Sequence, residues 1–150
     1  MKGLNNSDID YIRQIVREAG SIAQNLQNED LDIRRKFDKT IVTKADLAVQ
    51  NYIIANLSGR FPGFNYIHEE NFDQGSTVIT DDTITAVIDP IDGTAMYSMG
   101  LPLWCVSVGI FYGYTPKYGF VYAPGAGMLF HCDNEKTYNN GNVVTTLAEM

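Results

Sequence analysis

The segment Asp89-Pro90-Ile91-Asp92-Gly93-Thr94 follows directly on an apolar run, Ala86-Val87-Ile88. Such a run reads as a strand that delivers Asp89 to its C-terminal end. Pro90 fixes its own φ and removes a ladder donor, so pairing should break there. Asp92 follows three residues on, in a turn that could bring both carboxylates to one side. Gly93 lets the backbone bend and leaves its amide uncovered. Thr94 then opens a helix, and exposed amides at a helix N-terminus bind anions. The segment therefore offers two hard oxygen ligands for a cation beside a cradle for an anion, the pairing a metal and a phosphate group need. Asp, Pro and Gly are also ordinary turn formers, and a plain turn accounts for the same six residues. A calcium-binding loop does not, because it needs oxygen ligands at alternate positions and a late glutamate.

Two further features bear on the choice. Glu69-Glu70 ends another apolar strand; the bland reading is an exposed loop edge. If that strand neighbours the one carrying Asp89, Glu69 joins Asp89 and Asp92. Like charges about 4 Å apart repel by about 4 kcal/mol at an effective dielectric near 20, so three together need protons or a cation. All-oxygen ligation points to Mg²⁺, Mn²⁺ or Ca²⁺ rather than zinc. Thr43-Lys44-Ala45-Asp46 heads a helix, where Thr43 and Asp46 make a capping-box variant. A functional reading adds a hydrogen bond from Thr94 to Asp46, orienting the Thr94 hydroxyl toward a water. One carboxylate has lone pairs enough for both roles.

The elements that must position these residues follow from periodicity. Ile9, Ile12, Val16, Ala19, Ile22, Ala23 and Leu26 form one apolar stripe, predicting an amphipathic helix that fades near Asn28. Ser7 is its expected cap, with Asp10 three residues on. Residues 31–42 read as a strand or hairpin. Thr43 starts a second helix with Ala45, Val49, Ile53, Ile54 and Leu57 inward and Gly59 as its stop. Phe64–Ile67 and Ile84–Ile88 are strands separated by a polar loop over 71–83. A helical turn is expected over Thr94–Met99. Strands follow at Leu103–Phe111, Lys117–Tyr122 and Met128–Cys132, and Asn140-Gly141 signals a hairpin. Two long N-terminal helices and then mostly strands predict an α+β domain, an antiparallel sheet with helices packed on one face.

Composition narrows the partners. The 150 residues carry 45% hydrophobic and 19% charged side chains, which argues against disorder. Eleven basic against 18 acidic residues leave a net charge of -7, so no nucleic-acid partner is expected. No run approaches the roughly 18 apolar residues of a membrane span, and Met1–Asp10 lacks the apolar core of a signal peptide. Two cysteines, Cys105 and Cys132, make no disulfide framework, and a cytoplasmic location is the default. His131 reads as a surface or partly packed residue. Tyr112, Tyr114, Tyr118, Phe120 and Tyr122 read as core and dimer surface rather than a base-stacking platform.

Taken in order, Val42-Thr43-x-Ala45-Asp46, Glu69-Glu70 and Asp89-Pro90-Ile91-Asp92-Gly93-Thr94 resemble the motifs of the inositol monophosphatase family, Mg²⁺-dependent, lithium-sensitive phosphomonoesterases. Val106–Phe111 and Gly119–Pro124 are similar to its following strands, so the likeness runs over about residues 8 to 145. It implies that Glu69, Asp89 and the Ile91 carbonyl bind a first metal, and Asp89 and Asp92 a second. Thr94, with Asp46 behind it, would activate the attacking water, and Glu70 would help position water. The amides of Gly93 and Thr94 would hold phosphate oxygens. The implied cofactor is Mg²⁺, with Mn²⁺ an alternative. The implied partner is a small phosphate ester, with no membrane and with a second copy in a homodimer.

The departures from the family pattern are specific. Family members are longer, with a C-terminal domain carrying a W-D-x-A motif, and nothing here matches that motif. Residues 1–150 thus resemble the N-terminal half of the αβαβα sugar-phosphatase fold, a single metal- and phosphate-binding domain. His68 stands where a small residue is usual, Met96 where Asn is common, and Thr85 or Ala86 where an aromatic is common. The family's basic residue on the early strand corresponds to Arg35, Lys36 or Lys39. The expected reaction is hydrolysis of inositol monophosphate or a related sugar phosphate, full activity needing the C-terminal half. Fructose-1,6-bisphosphatase and phosphoadenosine phosphatase activities are the close alternatives, then a binding module without turnover, then a structural subunit.

Overall fold

A computed structural model describes residues 3–29, 34–35, 41–42, 44–68 and 78–145. Helix α1 spans Asn6–Gln27 and α2 spans Lys44–Arg60, with a short antiparallel ribbon between them, β1 (Arg34–Arg35) and β2 (Ile41–Val42). Asn5, not Ser7, caps α1. Its side chain accepts the Asp8 amide at 2.8 Å while the Asp8 carboxylate accepts the Asn5 amide at 3.1 Å. The reciprocal pair satisfies two open donors at once, so the helix starts earlier than expected. Ser7 instead accepts a hydrogen bond from Arg60 Nη2 at 3.0 Å, and Asp8 pairs with the same guanidinium at 3.1 Å. Arg60 also lies over the Tyr11 ring. That clasp carries α2 one residue past Gly59, and Pro62 keeps the chain from continuing the helix.

Seven strands make one sheet in sequence order: β3 (Asn65–His68), β4 (Ile84–Asp92), β5 (Cys105–Tyr112), β6 (Thr115–Ala123), β7 (Met128–Cys132), β8 (Thr137–Asn139) and β9 (Asn142–Val143). A short helix, α3 (Thr94–Ser98), separates β4 from β5. Every pair is antiparallel except β3 with β4, which is parallel, with His68 opposite Ile88. The antiparallel sheet expected from the sequence is corrected at this one pair to a mixed sheet. Segment 69–83 has the length of a crossover rather than of a hairpin turn, and that length permits the parallel return. Both strands consequently end at the same edge of the sheet. The Asn140-Gly141 turn has φ of 50° and 86°, as a tight hairpin between β8 and β9 demands.

Helices α1 and α2 cover one face of the sheet. Ile12, Val16, Ala19 and Ala23 from α1 and Val49, Ile53 and Leu57 from α2 are sealed against Ala86, Ile88, Val106, Val108, Ile110 and Phe120. The predicted stripes are the buried ones, with Ile9, Ile22, Leu26 and Ile54 at their margins. Gly20 sits mid-helix because a Cβ there would run into the Tyr122 ring. The two helices are joined by Tyr52, which donates to Glu18, and by Tyr11, which donates to the Asn56 carbonyl at 3.0 Å. Burial and the neighbouring carboxylate push the Tyr52 phenol up to about 12. Glu18, accepting that proton and one from Gln14, is held below the ordinary carboxylate value. No helix among the described residues is long and apolar enough to cross a membrane.

Candidate metal and phosphate site

The strand carrying Asp89 runs further than the sequence suggests, through Pro90 and Ile91 to Asp92. Pro90 does not end it, but the ladder shifts register there. Asp89 stands opposite Ser107 and Asp92 opposite Cys105, three residues on β4 against two on β5. One extra residue is a β-bulge. The consequence is a matter of parity. In a regular strand, residues three apart point to opposite faces. The inserted residue reverses that, so Asp89 and Asp92 share the face of their partners Ser107 and Cys105. Both are exposed, whereas Pro90 and Ile91 between them are buried. The face is the one free of α1 and α2.

Cys105 reports on this crowding of charge. Its Sγ lies 3.9 Å from an Asp92 carboxylate oxygen, as a weak thiol donor. Burial first, then the charges of Asp92 and Asp89, push the thiol up to about 11. The two carboxylates add to the effect of burial because both lie near this thiol. Both cysteines are free, as expected, and half-buried.

The turn after Asp92 depends on glycine. Gly93 adopts φ +93°, and a Cβ there would lie 2.9 Å from the Leu103 carbonyl oxygen. It is the residue ahead of α3, and no side chain caps that helix. The Thr94 hydroxyl donates to the Ile91 carbonyl at 3.0 Å. Its single proton is thus committed to the backbone, and the expected donation to Asp46 would require the hydroxyl to turn. Asp46 lies in the first turn of α2. Burial first, and then the Asp46 charge, raise the Tyr97 phenol of α3.

The structure therefore brings Asp89, Asp92, Gly93 and Thr94 to one edge of the sheet, with the Ile91 carbonyl between them. Glu69 and Glu70 lie outside the described residues, and so does Thr43. Among the described residues no group of three or more His, Cys, Asp or Glu side chains converges as a metal site. The donors that are present, two exposed carboxylates and a carbonyl, are hard oxygens that suit Mg²⁺ or Mn²⁺ and not a thiolate-seeking ion.

Three residues at this edge escaped the sequence reading. The contact of Cys105 with Asp92 carries no sequence signal, because it needs the cross-strand register. Tyr97 and Gln27 carry no sequence signal, because their hydrogen bonds join segments about seventy residues apart. His131 is partly packed, as expected, with its ring between Phe120 and Tyr138 at 6.2 and 4.5 Å.

The fold has counterparts. The profile of the inositol monophosphatase family matches residues 5–149, and the chain belongs to that family. It is similar to inositol monophosphatase 1 of Solanum lycopersicum, 33% identical over 134 residues, which are 89% of this chain and 49% of that protein. The solved IMPase of Thermotoga maritima superposes with a TM-score of 0.82 at 25% identity, covering 93% of this chain and 54% of that one. The inositol monophosphate-bound IMPase-II superposes with a TM-score of 0.74 at 25% identity, over 93% of this chain and 48% of that one. The chain spans about half the length of these relatives.

Proposed function

We propose that this chain is the metal- and phosphate-binding half of a phosphomonoesterase that hydrolyses inositol monophosphate or a related sugar phosphate. The observation that carries the reading is the bulge in β4, which sets Asp89 and Asp92 on one open face directly before the Gly93–Thr94 turn. Family membership and a structural relative solved with inositol monophosphate support it.

The roles follow from position and chemistry. Asp89, Asp92 and the Ile91 carbonyl would hold Mg²⁺, or Mn²⁺ in its place, with Glu69 completing the set. The last described residue of β3, His68, pairs with Ile88, one position before Asp89. When bound, the ions would supply charge neutralisation and a more acidic water. Thr94 would orient the attacking water once its hydroxyl turns from Ile91, Asp46 accepting the proton, and Glu70 would position water. The amides of Gly93 and Thr94 would take phosphate oxygens, which the open backbone at Gly93 favours.

Residues 1–150 form a single domain on this reading, and efficient turnover needs the C-terminal half of the family fold. Lithium sensitivity, a homodimer and a cytoplasmic location belong to the same proposal. One observation favours a second reading, a domain that binds metal and phosphate without turnover: the relatives are about twice as long. Phosphate release from inositol monophosphate with Mg²⁺, with and without Li⁺, separates the two. Fructose 1,6-bisphosphate and phosphoadenosine phosphate in the same assay test the substrate class. Calorimetry that finds no Mg²⁺ binding by this chain would sink both readings.

A further inference from the structure

Helix α3 has five residues and cannot hold its own position. Its hold comes from the last turn of α1, seventy residues earlier in the chain. Tyr97 is fully buried, and its hydroxyl donates to the Ala23 carbonyl at 2.5 Å. Four residues on, and so on the same side of α1, Gln27 donates through Nε2 to the carbonyls of Tyr97 at 3.1 Å and Leu101 at 3.0 Å. These bonds fasten the C-terminal end of α3 and the turn after it. The Tyr97 ring meets the Trp104 indole edge-on at 5.0 Å. Trp104 in turn backs Gly93, where a Cβ would stand 3.4 Å from its Cα. The Asp92–Thr94 turn is therefore wedged between a grip on α1 and the backbone at Leu103–Trp104.

We infer that Tyr97 and Gln27 are positioning residues for the metal site: the last turn of α1 sets where Asp92 and Thr94 stand relative to Asp89. The inference rests on the reading of Asp89 and Asp92 as metal ligands. It concerns residues that contact neither metal nor phosphate. Asp89 is held by the β4–β5 ladder, opposite Ser107. Asp92 closes the same ladder opposite Cys105, and Thr94, across Gly93, is the first residue of α3, so a rotation of that helix moves Thr94 and pulls on the Asp92 end of β4. A buried phenol whose proton burial keeps in place, aided by the Asp46 and Glu29 charges, remains a donor throughout the physiological range.

The test uses Tyr97→Phe, which keeps the ring against Trp104, and Gln27→Met, which keeps length and removes both donors. Tyr52→Phe is the comparison variant. It deletes a similar bond between α1 and α2, away from the edge of the sheet. Mn²⁺ is the probe, its binding followed by loss of the free-ion paramagnetic resonance signal. Amide hydrogen exchange at Gly93–Met99 is read by nuclear magnetic resonance.

Loss of the one buried bond in Tyr97→Phe, and of the two more exposed bonds in Gln27→Met, should each weaken Mn²⁺ binding roughly 3- to 10-fold, with faster exchange across α3. Tyr52→Phe should lower the melting temperature comparably and leave Mn²⁺ affinity within about twofold of the parent. Unchanged Mn²⁺ affinity in both variants, with the parent binding normally, overturns this inference and leaves the phosphatase reading intact. An equal loss of affinity in Tyr52→Phe also overturns it, because stability alone would then account for the effect. A parent chain that binds no Mn²⁺ overturns the phosphatase reading and this inference with it.

Discussion

On the face of the sheet that meets α1 and α2, Ile88, Val108 and Phe120 form a lateral row sealed from water. One residue along each strand, on the other face, the row reads Asp89, Ser107 and Val121, and none of the three is buried. The same three strands thus carry a packed hydrophobic layer on one side and an open, acidic side on the other. The first contributes stability through burial. The second places like charges together, which costs stability unless a cation or proton offsets them. Separating the two tasks onto opposite faces lets carboxylates approach one another without disturbing the core. A further apolar hollow of about 200 Å³ on the open face, lined by Ile67, Val87 and Phe111, lies toward the start of β4 rather than at the acidic end.

Substitutions can break this division. Phe120→Ala should have the largest effect on folding, a loss of about 3–5 kcal/mol read by chemical denaturation. Metal affinity measured on the remaining folded fraction should hardly change. Asp89→Asn should show the reverse pattern. Mg²⁺ affinity by calorimetry should fall by more than about 100-fold, since losing a ligand exceeds the loss from an outer-shell change. The metal-free melting temperature should hold or rise. If Asp89→Asn unfolded the chain, the acidic face would be structural and the division false.

Gly93→Ala tests the boundary between the faces. Both the positive φ and the Leu103 carbonyl oppose a Cβ, so a loss of about 1–3 kcal/mol is expected, together with weaker metal binding. Retention of full Mg²⁺ affinity would show that the turn geometry is dispensable.

The smallest effect concerns pH. Burial, and then the Arg13 charge, lower the His131 pKa, with Asp133 and Asp10 opposing. Its folded pKa lies below the unfolded value of 6.5, so the unfolded chain takes up the proton first as pH falls. Stability from this group is therefore complete above pH 6.5 and declines below it. Melting temperature followed from pH 7.5 to 5.5 should fall less steeply in His131→Phe than in the parent. Identical slopes would mean that His131 titrates freely.

Much of this arrangement was legible in advance, for identifiable reasons. The apolar stripes of α1 and α2 are local patterns that one helix imposes on its own sequence, and both were buried as read. The Thr94 helix, β7 and the Asn140-Gly141 hairpin follow likewise from short-range turn chemistry. The cap of α1 was misplaced by two residues, because Asn5–Asp8 and Ser7–Asp10 are equally good local patterns. What separated them was Arg60, more than fifty positions away, which occupies Ser7. The continuation of β4 past Pro90 was missed for a related reason: a proline excludes one ladder bond, and only the partner strand decides whether a bulge absorbs the loss.

The chemical identity of the site belonged to the sequence alone: which carboxylates, how they are spaced, and a glycine to turn between them and Thr94. Those features depend on residue type and on contacts a few positions apart. Tertiary structure decided which face the carboxylates share, that β3 runs parallel to β4, and that α1 holds α3 through Tyr97 and Gln27. Each of these rests on pairings between distant segments, and a one-residue change of register would send Asp92 to the opposite face.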